Sequence, residues 1–134
     1  MKTINVMTKQ IATILGGILI VAGLIGFVAP GLMGMHLSLL HNVIHLVSGA
    51  LALCFGLASS LSAAKTFCTL FGLVYGLLGV LGFILAGPGG MWTIVPEHLT
   101  LGTLDHIIHA ILGGLFLFAG LYQKTAPTQT SAPH

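Results

Sequence analysis

The placement of charged side chains is the feature that most limits what this chain can form. The four basic and two acidic residues among 134 lie mainly outside four long apolar segments, at about 11–29, 37–58, 67–87 and 101–122. A helix needs about 20 mainly apolar residues to cross a hydrocarbon core of roughly 30 Å, and Asp105 is the one formal charge inside these segments. We predict an all-α fold, a polytopic membrane four-helix bundle in a single domain over 1–124, with a disordered tail at 125–134.

The basic residues fall on one side of this predicted bundle. Two precede the first segment, one separates the second from the third, and one follows the fourth: Lys2, Lys9, Lys65 and Lys124. Cytoplasmic loops carry an excess of Lys and Arg, so we expect both termini in the cytoplasm and the loops at 30–36 and 88–100 outside. We interpret the first segment as a retained helix, because its apolar run is longer than that of a signal peptide and lacks a favourable cleavage site.

The chain carries an internal repeat. Gly-Leu-Ile-Gly-Phe at 23–27 recurs as Gly-Val-Leu-Gly-Phe at 79–83, and the pattern His41-x-x-x-His45-x-x-x-Gly recurs as Asp105-x-x-x-His109-x-x-x-Gly. Each half is then a helical hairpin. Two hairpins of two spans keep the same orientation, which predicts a parallel repeat about an axis along the membrane normal. We expect His45 and His109 at a similar depth, facing each other across the bundle.

The polar side chains of the second and fourth segments are the main chemistry of the chain. Residues at i and i+4 share a helix face about 6 Å apart, and side chains on facing helices build metal sites in bundle cores. Nitrogen and oxygen ligands of this kind suit Zn, Cu or Fe. We predict an outward-facing intramembrane metal site with His45 and His109 as its central pair, His41 beside them and Asp105 or His106 as the fourth ligand.

Three alternatives to this site stay open. The polar groups, with Asn42 bridging helices, can serve helix packing alone, each interhelical hydrogen bond contributing about 0.6 to 2 kcal/mol. A b-type haem with His45 and His109 as axial ligands ranks lower, because the outer loops offer its propionates no Lys or Arg. Proton or ion transport would use the titration of histidine near neutral pH, but the inner halves of these two segments carry no ionisable relay.

Composition and motifs exclude other classes of function. With 56% hydrophobic and 4% charged residues, the chain has no basic patch for nucleic acid. It has no phosphate-binding loop and no nucleophile beside a general base, so we expect a protein that is not an enzyme. Its expected partner is the lipid bilayer, and its rows of glycine leave room for a homo-oligomer or a larger membrane complex.

The polar motifs resemble those of an uncharacterised family of small bacterial four-helix membrane proteins, catalogued as a domain of unknown function. The resemblance rests on His41-Asn42-x-x-His45 in the second segment and Asp105-x-x-x-His109 in the fourth, and it covers about 11–122. It implies a bacterial inner-membrane protein with four spans and supplies no activity. The family more typically has Asn at the position of His106, so a ligand role for His106 departs from its pattern.

Overall fold

The computed structural model describes residues 2–122, with side chains from residue 6 onward, and four long helices dominate this range. They are α1 (Lys2–Val28), α2 (Leu39–Ala58), α3 (Leu61–Leu85) and α4 (Thr103–Leu121). Strands β1 (Trp92–Val95) and β2 (Leu99–Leu101) pair antiparallel between α3 and α4, and short 3-10 turns lie at Leu32–Gly34 and Pro88–Gly90. Lys124 and the predicted tail at 125–134 lie outside the described residues.

All four helices are long and apolar enough to cross a membrane, which confirms the predicted all-α membrane bundle. Their outward faces carry large apolar side chains, and Ile18, Val47 and Leu77 are each more than half exposed. Continuous apolar faces of this kind mark a surface that does not meet water. Lipid tails solvate them, and the polar side chains of α2 and α4 are buried inside the bundle instead.

The helices associate as two hairpins, since α1 packs mainly on α2 and α3 mainly on α4. Glycine residues allow the close approach of α1 to α2 and of α3 to α4. A Cβ on Gly16 would lie 2.9 Å from the carbonyl oxygen of Gly49, and a Cβ on Gly113 would overlap the backbone of Gly76. Close backbone packing of small residues is a main source of helix association in bilayers. Each hairpin is therefore tightly packed within itself, and contacts between the hairpins are sparser.

Equivalent contacts recur in the two hairpins. Thr13 Oγ1 donates to the carbonyl one turn before it, and Gly56 of α2 lies against its side chain. Thr69 Oγ1 does the same in α3, where Gly120 of α4 lies against it. The equivalent residues are separated by the spacings of the sequence repeat. Thr13 and Thr69 are 56 residues apart, and Gly56 and Gly120 are 64 residues apart. The symmetry axis along the membrane normal stays a prediction.

Two helices begin earlier than the uncharged segments suggest. α1 begins at Lys2 rather than near 11, and α3 begins at Leu61 rather than near 67. The first turns of α3 are amphipathic, and the hydroxyl of Ser60 caps them by accepting the backbone N–H of Ala63. Hydropathy locates the apolar run, whereas the helix continues into the polar boundary as long as its N–H groups find a cap.

The second outer loop, expected only as a loop at 88–100, contains the β-hairpin. The side chains of Leu99 and Leu101 in β2 are buried, so the hairpin covers the end of the bundle with apolar side chains. Ser38, at the start of α2, donates its hydroxyl to the carbonyl of His98. The hairpin is thereby attached to the helix that carries two of the predicted ligands.

Candidate metal centre

Three of the predicted ligands meet inside the bundle. His41 and His45 lie one turn apart on α2, with ring centroids 4.3 Å apart, and His109 faces them from α4 with centroids at 5.9 Å and 6.4 Å. One ligand nitrogen of each ring lies within 4.8 Å of the other two. No other group of three His, Cys, Asp or Glu side chains among the described residues comes this close.

His41 is held in position by the start of its own helix. Ser38 is the N-cap residue of α2, and its hydroxyl accepts the backbone N–H of His41 at 3.3 Å. The ring then reaches back, with Nδ1 3.0 Å from the carbonyl oxygen of His36. A carbonyl only accepts, so Nδ1 carries the proton and Nε2 keeps its lone pair. Metal-binding histidines are commonly oriented by such a bond from their second nitrogen.

The three rings carry buried nitrogens without partners. Nε2 of His41, Nδ1 of His45 and Nδ1 of His109 are buried and have no hydrogen-bond partner among the described residues. Nearly all buried polar atoms in native structures are paired, so each exception calls for an explanation. The cluster is therefore not a closed hydrogen-bonded network.

The other two predicted ligands have different partners. Asp105 is the N3 residue of α4, and its Oδ2 accepts the backbone N–H of Gly102 at 2.8 Å. His106 Nε2 lies 3.1 Å from the carbonyl oxygen of Gly90. Both side chains are buried, yet neither joins the three-histidine group. The structure thus brings together three of the five predicted ligands, His41, His45 and His109.

Asn42 and His106 occupy matched places in the two hairpins and pack against glycines of the neighbouring helix. A Cβ on Gly26 would overlap the Asn42 amide, and a Cβ on Gly82 would overlap the His106 ring. Asn42 Nδ2 donates at 3.3 Å to the carbonyl of Leu37, just before its own helix. Among the described residues, Asn42 makes no hydrogen bond across to another helix, because the local carbonyl of Leu37 is within reach. Each residue thus fills the interface between the two helices of its hairpin.

Two cavities flank the histidines. One, of about 130 Å³, lies between α2 and α3 and is lined by all three rings, Ser48 and Tyr75 together with apolar side chains. The other, of about 290 Å³, lies between α1 and α4, and His45, His109 and Asp105 line it with mainly apolar neighbours. The sparse packing between the hairpins thus leaves space beside the cluster on two sides.

Ser48 and Tyr75 are site residues that the sequence analysis does not single out. Tyr75 is 3% exposed, its ring centroid lies 5.5 Å from that of His109, and Ser48 is the polar neighbour of its buried hydroxyl, which makes no hydrogen bond of good geometry among the described residues. A signal for it exists in the sequence, because it is a phenol in the middle of an otherwise apolar span. However, Tyr75 follows Phe67 and Phe71 at helical spacing, and such an aromatic row is typical of core packing.

Gly49 and Gly113, each one turn after a clustered histidine, pack closely against other groups. A Cβ on Gly49 would meet the backbone of Gly16 and the side chain of Ile20, and Gly113 lies directly against Gly76. The partner helix of the same hairpin therefore fills the space beside both glycines.

Comparison with known proteins identifies one family. A family model described as a domain of unknown function (DUF4383) matches residues 9–122. No curated protein and no solved structure matches the chain.

Proposed function

The chain belongs to the DUF4383 family of unknown function, and we propose that it is a non-enzymatic integral membrane protein that binds one transition-metal ion through His41, His45 and His109. The ion lies within the bilayer, between α2 and α4. Zn, Cu and Fe are the candidate metals, because imidazole suits all three.

The observation that carries this proposal is the set of unpartnered nitrogens in the cluster. One nitrogen on each of three buried rings lacks a partner, and ligand atoms of the same three rings converge within 4.8 Å. A lone pair without a partner in an apolar interior loses hydration and gains nothing in return. A metal ion between the three rings would take up one nitrogen lone pair from each of them.

The geometry requires a small closing movement. Bonds of about 2.05 Å in a tetrahedral site place ligand nitrogens roughly 3.3 Å apart. Starting from separations of up to 4.8 Å, the rings close by up to about 1.5 Å, which changes in side-chain torsion supply. His41 is the most constrained of the three because His36 already holds its Nδ1.

A metal ion is a better match to this site than a haem. The cavity that all three rings line has a volume of about 130 Å³, and the cavity beside His45 and His109 has about 290 Å³, so neither exceeds the lower end of the roughly 300 to 1,000 Å³ of pockets for larger organic ligands.

The alternative is a cluster that only fixes helix packing. Asn42 and His106 favour it, since both fill seams within a hairpin. Asn42 Oδ1 and His106 Nδ1 are also buried without a partner among the described residues, so the convergence of ligand atoms is what distinguishes the three histidines. The packing role therefore suits Asn42 and His106, and the ligand role suits the other three.

Metal binding to the purified full chain tests the proposal. In mild detergent, we expect one Zn²⁺ or Co²⁺ per chain by elemental analysis after dialysis. His45→Ala should weaken the affinity on the order of 100-fold or more, because it removes one of three ligands. His98→Ala is the matched control, since His98 is exposed on the outer loop.

The outcomes separate the two interpretations. A chain that takes up no metal, and in which His45→Ala changes only the unfolding temperature, would leave packing as the function of the cluster. Equal losses of affinity in His45→Ala and His98→Ala would place the metal elsewhere.

We further propose that the membrane is a bacterial inner membrane and that both termini are cytoplasmic. Lys9 and Lys65, near the starts of α1 and α3, support this orientation by the positive-inside rule. The turns and strands at the opposite end carry no Lys or Arg. The histidine cluster, close to the starts of α2 and α4, then lies nearer the outer surface.

A further inference from the structure

The cavity between α2 and α3 differs from an ordinary packing defect in what lines it. All three clustered histidines reach it, and Tyr75 and Ser48 are its other polar side chains. The remaining lining is apolar, with Leu99 and Leu101 of β2 closing the outer end. Its volume of about 130 Å³ corresponds to a few water molecules, each with a share of about 30 Å³ in the liquid.

Tyr75 brings a hydrogen-bond donor to this cavity. Its side chain is 97% buried, since 3% is exposed, and its hydroxyl makes no hydrogen bond of good geometry among the described residues. A buried phenol ordinarily finds a partner. Ser48 is its polar neighbour in the cavity, and a bond donated by the Ser48 hydroxyl to the phenol oxygen leaves the phenol proton available to a group that enters beside His109.

Three protein ligands leave a metal site incomplete. Zinc-like ions with three protein ligands keep a fourth position for water or an exogenous group. No fourth His, Cys, Asp or Glu side chain joins the cluster in the described part of the chain. The fourth position on the cavity side is therefore open to a ligand from outside the protein.

Charge indicates what kind of ligand this is. Three neutral imidazoles leave a divalent ion with both of its charges in an apolar span, where uncompensated charge is costly. The nearest carboxylate, that of Asp105, already accepts the backbone N–H of Gly102 and lines the other cavity. A monoanion on the metal halves the net charge, and the desolvation cost of an ion falls roughly with the square of its charge.

We infer that a small monoanion occupies the fourth coordination position from the 130 Å³ cavity and that the Tyr75 hydroxyl donates a hydrogen bond to it. This rests on the proposed metal site. In water the anion is hydroxide, formed when a coordinated water releases a proton to solvent. Azide has the same charge and is small enough for the cavity, so it serves as the probe.

Cobalt substitution makes the fourth position visible. The full chain in mild detergent is loaded with Co²⁺, whose visible bands depend on its ligands, and titrated with sodium azide. We expect a saturable change of these bands with one azide per cobalt. Cobalt bands that azide leaves unchanged would overturn the inference while metal binding itself still stands.

Tyr75→Phe tests the hydrogen-bond donor without changing the shape of the cavity. We expect azide affinity to fall roughly 10- to 100-fold, the size of one hydrogen bond to a charged group, while the affinity for Co²⁺ stays within twofold. Tyr122→Phe is the matched control, because Tyr122 lies at the opposite end of α4 against Phe118. Equal azide affinity in the parent chain and Tyr75→Phe would remove Tyr75 from the site.

Failure of the underlying metal site gives a different result. In that case Co²⁺ does not bind, and no band exists for azide to change. His45→Ala distinguishes a specific site from adventitious cobalt, since cobalt bands that survive this substitution overturn both proposals.

Discussion

At the scale of single residues, His41 and His106 share one contact and differ in the surroundings of the second ring nitrogen. Each ring has one nitrogen beside a backbone carbonyl, that of His36 for His41 and that of Gly90 for His106. The second nitrogen of His41 lies near two further imidazoles, whereas the ring of His106 lies against Gly82. The surroundings of the second nitrogen make one histidine a candidate ligand and the other a packing residue.

We predict that His106→Asn retains metal binding. Asn occupies the matched position, residue 42, in the first hairpin, so the substitution suits the space beside Gly82. The affinity for Zn²⁺ or Co²⁺ should stay within threefold, and stability should fall by about 1 kcal/mol through loss of the bond to Gly90. Competition with a chromophoric chelator and unfolding in detergent measure the two effects. A 100-fold weaker affinity would make His106 a ligand.

The sequence is sufficient to find His41, His45 and His109, because helical spacing and the repeat both mark them. The sequence does not exclude Asp105 as a ligand, because a carboxylate one turn before His109 suits a ligand as well as a helix-capping residue. In the structure, this carboxylate accepts the backbone N–H of Gly102. Tyr75 could not be assigned to the site from the sequence. Its role depends on which helices meet across the cavity, a property of tertiary packing.

At the scale of elements, paired glycines determine how closely the helices approach. Gly113 lies against the backbone of Gly76, and its neighbour Gly114 has no other group within 4 Å of a Cβ built on it. Close helix packing thus requires glycine at position 113, whereas the space around position 114 would admit a side chain.

We predict opposite outcomes for alanine at these neighbours. Gly113→Ala forces α3 and α4 apart and should destabilise the bundle by about 1 to 3 kcal/mol, as overpacking does. Gly114→Ala adds a methyl group to the lipid-facing side and should change stability by less than about 1 kcal/mol. Unfolding by SDS in mixed micelles measures both variants. Equal destabilisation would contradict the α3–α4 packing described here.

The helices were predictable as elements and the β-hairpin was not. Long uncharged runs give a strong signal for a span, and composition alone places four of them. The strands have four and three residues, and two-stranded hairpins are marginal without other support. Their stability comes from Leu99 and Leu101 packed on the helix ends, which local sequence does not reveal.

At the scale of the whole molecule, orientation decides from which side the site is reached. We predict that Glu97→Cys, on the exposed outer loop, reacts with a membrane-impermeant maleimide in intact bacterial cells with a permeable outer membrane. Ser62→Cys, at the opposite end, should react only after lysis. Both substitutions are made in a background with Cys54→Ala and Cys68→Ala. The reverse pattern would invert the topology and place the histidines nearer the cytoplasm.

The division of the bundle into two hairpins also sets the order in which the site comes into being. His41 and His45 are synthesised with the first hairpin, and His109 follows 64 residues after His45. At about 5 to 20 residues per second, the third imidazole is translated roughly 3 to 13 s after the second. The nascent chain thus holds an incomplete ligand set until α4 is inserted. The proposed metal ion would then bridge two hairpins that otherwise make few contacts, so its binding would be a late step of assembly that stabilises the completed protein.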